Sequence, residues 1–444
     1  MYVTNKVQVN LTGRTDGPGD PREPEMTSAR STSTPPAQES PLFNPFEDGF
    51  VENPYPQYAV LRETAPVYEH PLGFWVVARY EDVSALLRSG ASVEVRNLAP
   101  ATGPLAALQQ QVFGERSPRM DGLSMLDRDP PDHTRLRRLV SKAFTPRSVE
   151  ALRPRVTELV DTMLDKAAEQ RGAVDFVSSF AFPLPFAVIA EMLGTPPTDH
   201  ERVRELSGLI VRSLEPVLDP ELMRAIDAAD EELRGIVGEM IAWKRKNPAD
   251  DLLTALIQAE EGGDVLDDEE LVAQALLLYI AGHETTVNLL AGGMLALLRE
   301  PGQWSLLKNK PELVPGAVEE LLRYDSPVQQ SRRITTEPVV VGGTEIPAGV
   351  FVLTLLASAN RDERYWGEDA EELRVEREGA RHHVSFGAGV HHCLGASLAR
   401  LEAGIAFERL AVRFPGLALA GEVTWNGRIN LRGPAELPVA LAGG

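Results

Sequence analysis

The chain has 444 residues, of which 43% are hydrophobic, so it is long enough to bury a large core. Its formal net charge of −21 at pH 7 argues against nucleic acid or an anionic membrane as the main partner. A single cysteine excludes an intramolecular disulfide framework and is typical of a reducing compartment. Because the N-terminus also lacks an apolar signal segment, the sequence predicts a cytoplasmic protein that does not enter a membrane.

The N-terminal segment differs in composition from the rest of the chain. Residues 1–42 are rich in Ser, Thr, Pro, Gly and charged residues and show little hydrophobic periodicity. Such a composition cannot bury enough apolar surface to fold, so we expect a disordered tail there. Residues 43–444 show no internal repeat and no linker-like segment, which indicates one large domain.

The first structured elements are a helix and a hairpin. Apolar residues recur at helical spacing over residues 58–64, and residues 65–80 predict two strands with Gly73 at the turn. Helical periodicity dominates the middle of the chain. Strand-like sequence returns at residues 334–358 and 425–441. The pattern as a whole predicts a mainly α fold with a small β component.

The most apolar segment, residues 271–298, predicts a buried core helix. Ala281, Gly282 and Thr285 lie three or four residues apart, so they share a face on which small side chains leave room for a ligand. A threonine hydroxyl in mid-helix can also bond to the carbonyl four residues earlier and bend the helix. Burial of the Glu284 carboxylate in these apolar surroundings costs free energy, which a partner or a role in proton transfer would explain. The alternative interpretation is that the polar residues of this helix serve packing specificity.

The only cysteine, Cys393, follows two adjacent histidines in the stretch FGAGVHHCLG, residues 386–395. Three interpretations are open: a buried free thiol, a ligand of a zinc site, and the axial ligand of a haem iron. Zinc is disfavoured because adjacent histidines on one strand point to opposite sides and no second cysteine is present. A dinucleotide-binding loop is weaker still, because the third glycine is missing.

The residues that follow Cys393 favour the haem interpretation. Leu394, Leu398 and Leu401 recur at helical spacing, which places the cysteine at a helix N-terminus. Free backbone N–H groups and the helix dipole stabilise a thiolate at that position. Gly395 also allows close approach of the backbone behind the sulfur.

The motif Phe386-Gly-x-Gly-x-His391-x-Cys393-x-Gly395 resembles the haem-binding signature of the cytochrome P450 haem-thiolate monooxygenases. The resemblance implies haem b as the cofactor and Cys393 as the axial ligand of its iron. It further implies that Phe386 packs over the thiolate loop, that Gly395 borders the haem, and that His391 contacts a haem propionate. His392 is left without a role, and we interpret it as a surface residue.

The core helix resembles the oxygen-activation motif of the same family. By this resemblance Glu284 and Thr285 are the catalytic residues that supply protons, and Ala281 and Gly282 lie beside the haem. A haem-binding sensor without turnover is a rival interpretation, and retention of both the acid and the alcohol argues against it. A zinc-stabilised binding module is a second rival, disfavoured for the reasons given above.

Basic partners for the two haem carboxylates come from two further segments. His133 and Arg137 lie four residues apart, on one face of a predicted helix, and Arg333 precedes a strand pattern. The resemblance implies that these three residues and His391 bind the propionates, a task that suits the forked guanidinium of arginine. Arg332 is a less favoured substitute for Arg333.

A Glu-x-x-Arg pair, Glu320 and Arg323, resembles a motif that the family uses in core assembly, with Arg377 as the third member. The loop between Asp362 and Arg377 departs from the family pattern, which usually contains proline and phenylalanine there.

The resemblance implies a mainly helical, single-domain fold and insertion of one oxygen atom from O2 into a small organic substrate. Hydroxylation and epoxidation are the expected reactions, with oxidative coupling or desaturation as variants. The AGHETTVNLL run is similar to bacterial members that tailor secondary metabolites such as polyketides and macrolides. Since no flavin domain is evident, a separate ferredoxin and ferredoxin reductase would supply electrons, docking on the basic run at residues 135–147. The implied substrate walls are residues 95–126, 180–218, 277–285 and 429–431.

Overall fold

Helices make up most of this computed structural model, which describes residues 43–100, 122–170, 172–195, 200–216, 219–261 and 263–441. Its α-helices are α1 (Tyr55–Thr64), α2 (Tyr80–Arg88), α3 (Asp132–Ala143), α4 (Pro146–Ala151), α5 (Arg153–Ala168), α6 (Pro183–Leu193), α7 (His200–Val211), α8 (Pro220–Lys246), α9 (Leu252–Ile257), α10 (Asp268–Arg299), α11 (Pro301–Asn309), α12 (Val314–Tyr324), α13 (Leu356–Ala359), α14 (Glu363–Trp366) and α15 (Ala396–Arg413). None of the helices in these ranges is long and apolar enough to cross a membrane.

The strands are short and form small sheets. They are β1 (Val67–Glu69), β2 (Trp75–Val77), β3 (Ala173–Asp175), β4 (Glu260–Glu261), β5 (Asp264–Val265), β6 (Ser331–Ile334), β7 (Val339–Val341), β8 (Thr344–Ile346), β9 (Phe351–Thr354), β10 (Ala418–Leu419), β11 (Thr424–Trp425), β12 (Pro434–Glu436) and β13 (Pro438–Ala440). The largest sheet has the order β1-β2-β9-β6, in which β2 and β9 run parallel and the other pairs antiparallel. A second sheet has the order β10-β13-β3, and three strand pairs complete the set: β4-β5, β7-β8 and β11-β12.

The central element is α10, whose start is fixed by a capping box. The Asp267 carboxylate accepts the N–H of Glu270 at 2.8 Å, and the Glu270 carboxylate accepts the N–H of Asp267 at 3.2 Å. Acidic residues fill the first turn and Arg299 lies in the last turn, an arrangement that complements the helix dipole. Most of the helix is buried, as predicted for residues 271–298.

Around α10 the largest apolar cluster draws on α5, α6, α8, α12 and α15. Close packing between α6 and α10 requires a small residue at Gly282, since a Cβ there would lie 3.0 Å from the Ile189 side chain. Gly282 thus packs against α6, while Ala281 and Thr285 of the predicted small-residue face stay accessible.

The structure confirms the predicted hairpin and corrects one strand boundary. β1 and β2 pair antiparallel, with Gly73 at a positive φ of 78° in the turn. The strand-like sequence at 334–358 forms β6 to β9, but its last residues form α13 instead. Strand β9 ends at Thr354, the last residue that pairs with both β2 and β6, and Leu355 is already the N-cap of α13. The predicted tail at 1–42 lies outside the described residues.

Candidate active site

The loop before Cys393 is shaped by two glycines. Gly387 and Gly389 have φ of 66° and 72°, a left-handed conformation that is open to glycine and strained for other residues. A Cβ on Gly389 would lie 2.5 Å from the carbonyl oxygen of Leu87 at the end of α2, so the loop packs directly on that helix. The Cys393 N–H donates to the Phe386 carbonyl at 2.8 Å, which closes the loop.

Cys393 lies just before α15, whose N-cap is Gly395. The side chain is accessible to solvent, yet protein atoms surround the sulfur closely enough that this desolvation raises the pKa of the thiol. The backbone N–H groups of Gly395 and Ala396 and the charges of Arg137 and Arg400 act in the opposite direction. The predicted position at a helix N-terminus is therefore found, with amides directed at the sulfur.

Phe386 is held by a charged network that sequence reasoning missed. The Arg400 guanidinium lies 4.6 Å from the centroid of the Phe386 ring and binds the Glu319 carboxylate through two contacts, at 2.6 and 3.0 Å. The His383 Nε2 lies 3.1 Å from the same carboxylate. Burial acts to raise the pKa of Glu319, but hydrogen bonds from His383 and Arg400 outweigh it and hold the pKa at about 2.

Four basic residues from three segments come together beside the cysteine loop. The rings of His133 and His391 lie 4.3 Å apart by their centroids. Burial, with the nearby His133, Arg333 and Arg137, lowers the pKa of His391 to about 3. Burial likewise lowers the pKa of Arg333 to about 10. These depressed pKa values show that both groups are withdrawn from water, and the neighbouring cations add to the effect at His391.

The buried ring of His133 indicates which kind of ligand these basic residues would bind. The side chain is buried, and neither ring nitrogen has a hydrogen-bond partner within the part of the chain that the structure describes. Unpartnered buried polar atoms are rare in native proteins, and those at ligand sites are satisfied by the ligand. The one N–H of a neutral His133 ring and the buried guanidinium of Arg333 are suitable donors for the two carboxylates of a haem. The residues therefore fit the cofactor.

Arg332 and His392 are sequence neighbours of this group of four basic residues but make different contacts. The Arg332 guanidinium faces Asp127, with 3.5 Å between Nη2 and Oδ1, so this arginine has a partner of its own. The His392 side chain is exposed, as the sequence suggested, and its carbonyl oxygen accepts a hydrogen bond of 2.7 Å from Arg137. His392 thus contributes its backbone to the placement of Arg137.

The predicted small-residue face of α10 is accessible although the helix is otherwise buried. Ala281 is exposed and Gly282 and Thr285 are partly exposed, in the middle of a helix surrounded by core. The Thr285 hydroxyl donates to the Ala281 carbonyl at 3.1 Å, the back-bond that the spacing predicted. An open surface in this position is suited to a ligand that lies against the helix.

Glu284 has a partner that the sequence did not reveal. Its Oε2 lies 2.8 Å from Nη1 of Arg428, and the two side chains are only 13% and 15% exposed. Its Oε1 lies 3.8 Å from Nε2 of His283, which is fully buried and whose Nδ1 lies 2.8 Å from the Tyr279 carbonyl oxygen. Desolvation lowers the pKa of His283, so the neutral imidazole is favoured.

The Glu-x-x-Arg pair is part of a buried ion network away from the cysteine. Glu320 and Arg323 are both fully buried and joined through two contacts, at 2.6 and 2.8 Å. Arg377 adds a third contact, 3.1 Å from Glu320, as predicted, in spite of the unusual loop before it. The Arg323 guanidinium also donates to the carbonyls of Asn360 and Ala370, which ties α12 to that loop.

Comparison with known proteins decides the family. The profile described as Cytochrome P450 matches residues 103–309 and 303–417, more than half of the chain. The chain belongs to the cytochrome P450 family. Cytochrome P450 107B1 of Saccharopolyspora erythraea is 42% identical over 412 residues, which cover 89% of this chain and 96% of the relative. Mycinamicin IV hydroxylase/epoxidase of Micromonospora griseorubida is 39% identical, covering 86% and 94%.

A solved structure, that of the bacillaene polyketide synthase cytochrome P450 PksS of Bacillus subtilis, has the same fold. It superposes with a TM-score of 0.80 at 36% identity and covers 90% of this chain and all of that one. The mainly helical single-domain fold with its small β component is therefore confirmed. As a cytochrome P450 the protein is an oxidoreductase that incorporates one oxygen atom, and the family uses haem b with a cysteine thiolate on the iron. The roles of individual site residues stay predictions.

Proposed function

We propose that this cytochrome P450 hydroxylates or epoxidises a secondary metabolite of the polyketide or macrolide class in the cytoplasm. The proposal draws on the relatives that are named for mycinamicin IV and for the bacillaene polyketide synthase. The observation that carries its haem chemistry is the cluster of basic residues at the cysteine loop, where the buried ring of His133 lacks hydrogen-bond partners among the described residues. That donor set is suited to the haem carboxylates and would place the cofactor between α10 and α15.

In this proposal Cys393 binds the haem iron, and His133, Arg137, Arg333 and His391 bind the propionates. The bordering residues are Phe386 and Gly395 on the cysteine side and Ala281 and Gly282 on the α10 side. When bound, the haem supplies dioxygen binding and activation. The protein's contribution at the sulfur is a rigid loop, since the Gly389 backbone rests on Leu87 and the Phe386 carbonyl holds the Cys393 N–H.

Glu284 and Thr285 supply protons in this proposal. The Thr285 hydroxyl lies on the accessible face of α10, and once its bond to the Ala281 carbonyl opens, Oγ1 can pass on a proton while it accepts another. Glu284 is the preceding residue, and its mostly buried carboxylate keeps an exposed fraction of 13%. In this proposal Glu284 receives protons from water and Thr285 passes them on at the ligand face of the helix.

Electrons come, in the same proposal, from a separate ferredoxin and its reductase. The basic run at residues 135–147 lies on α3 and the start of α4. Helix α3 also carries His133 and Arg137. Arg135 is ion-paired to Asp264 and Glu270, so it contributes little net charge. Arg147 is exposed. If an acidic ferredoxin docks here, the electron-transfer rate should fall as salt is raised, because surface charges are screened.

The substrate class can be tested by titrating the holoenzyme with a panel of macrolides and linear polyketides and recording spin-state difference spectra. A compound that produces a shift is then turned over under isotopically labelled dioxygen with ferredoxin and reductase. The proposal requires a product that carries one labelled oxygen atom. Binding by unrelated small molecules, with none from the polyketide panel, would contradict the substrate class and leave the reaction class intact.

A further inference from the structure

Among the described residues of the C-terminal part of the chain, one side chain reaches the Glu284 carboxylate. Arg428 lies in the loop between β11 and β12, 144 residues from Glu284 along the chain, and its Nη1 is 2.8 Å from the Glu284 Oε2. Its Nη2 lies 3.4 Å from the carbonyl oxygen of Gly208 in α7. Both members of the ion pair are mostly buried, so solvent screens their interaction only weakly.

The residues directly after Arg428 are held by one carboxylate. Glu215, which follows α7, accepts the backbone N–H of Ile429 at 3.0 Å, of Asn430 at 3.0 and 3.1 Å to its two oxygens, and of Leu431 at 3.2 Å. Three consecutive amides on one carboxylate make a charge-assisted backbone site. Because these amides belong to the residues next to Arg428, Glu215 fixes the direction from which the guanidinium approaches Glu284.

The far end of the same loop is fastened to α10. The Asn288 side chain, one turn after Glu284, donates to the Leu431 carbonyl at 3.3 Å. The Asn430 carbonyl accepts the N–H of Gln329 at 2.8 Å. The loop is thus bound to the segment after α7, to α10 and to the segment before β6, and Arg428 is its only side chain that makes an ion pair with Glu284 among the described residues.

We propose that Arg428 is the positioning residue for Glu284, and that Glu215 sets the position of Arg428 by binding the loop amides. This inference rests on the proposed role of Glu284 in proton supply. The Glu284 carboxylate is 13% exposed and its Oε1 lies 3.8 Å from Nε2 of His283, so without a cation it would be free to rotate towards water or towards that imidazole. Arg428 prevents that rotation. The loop that carries Arg428 then links Glu215, which follows α7, to Glu284, the residue proposed to supply protons.

The test uses the holoenzyme with its electron donors and measures product formed per NADPH consumed. Arg428→Met should lower this ratio about tenfold, below the ~10²-fold that misplacement of a reacting group can cost. Arg428→Lys keeps the charge and should restore most of the ratio. The substrate dissociation constant from spin-state titration should not change. A purely structural role for Arg428 would instead weaken substrate binding and lower the ratio equally in both variants.

A double-mutant cycle shows whether Arg428 acts through Glu284. In a Glu284→Gln background, Arg428→Met should produce no further loss, whereas additive losses would overturn the inference. Glu215→Ala should lower the ratio in the same direction as Arg428→Met and add nothing to it. Arg155→Met is the matched control, since Arg155 pairs with Glu158 and Glu191 on the surface, and it should leave the ratio unchanged.

The outcomes separate the inference from the proposed function. If Glu284→Gln lowers the ratio and Arg428→Met does not, Arg428 is not a positioning residue, while the role of Glu284 stands. If Glu284→Gln itself keeps the wild-type ratio, the proton-supply role of Glu284 fails and the inference fails with it. Thermal unfolding of each variant identifies any loss in the ratio of product to NADPH that comes from misfolding. If Arg428→Met misfolds, the ratio measured for Arg428→Lys decides the result.

Discussion

Gly389 offers a sharp test of the cysteine loop, because Gly387 provides a matched control in the same loop. Both glycines have positive φ, so alanine at either position destabilises the fold by about 1–2 kcal/mol through left-handed backbone strain. At Gly387 the nearest atom to a new Cβ is 3.8 Å away, so no contact cost is added. At Gly389 the Cβ would lie 2.5 Å from the Leu87 carbonyl oxygen, which is backbone and cannot rotate away.

We therefore expect Gly389→Ala to lose a further 1–3 kcal/mol, roughly the cost of overpacking, for a total of about 2–5 kcal/mol. That is a large part of the 5–15 kcal/mol that typically stabilises a protein. The assay compares thermal unfolding midpoints and haem retained per protein for wild type and both variants. The expected order of both quantities is wild type, then Gly387→Ala, then Gly389→Ala. Equal behaviour of the two variants would show that the loop does not rest on α2.

Three further changes test other parts of the account. Thr285→Ala should raise hydrogen peroxide release per NADPH consumed while Thr285→Ser does so less, and unchanged release would remove this hydroxyl from proton supply. Arg323→Met leaves the fully buried Glu320 without its cation, so it should cost about 3–5 kcal/mol and lower the yield of folded holoenzyme; a variant as stable as wild type would refute the assembly role. Glu319 has a folded pKa of about 2, below its ordinary 4.5, so its stabilisation is present above pH ~5 and is lost as the pH falls towards 2. The stability difference between wild type and Glu319→Gln should shrink over that range in denaturant titrations, and a difference independent of pH would contradict it.

Local sequence patterns predicted the parts of the site that lie on one element. The helical spacing after Cys393 predicted its place at a helix N-terminus, and the Ala281–Thr285 back-bond followed from a spacing of four residues. The pairing of His133 and Arg137 on one helical face had the same origin. In each case the period of the helix or the geometry of a turn converts sequence distance into spatial distance.

Contacts between distant elements could not be predicted in this way. Nothing in the sequence around Arg428 differs from an ordinary exposed arginine, and only the fold brings it to Glu284. The same holds for Glu215, whose partners are backbone amides and therefore carry no sequence signal. Such pairs depend on how helices and loops pack, which a single sequence encodes only through the whole fold.

The central claim is that Cys393 is the thiolate ligand of a haem iron, and the optical spectrum of the reduced protein with carbon monoxide tests it most directly. The account predicts a strongly red-shifted Soret band for the wild-type holoprotein and its loss in Cys393→Ser. Absence of haem absorbance in the purified protein, or a red-shifted band that survives Cys393→Ser, would contradict the account.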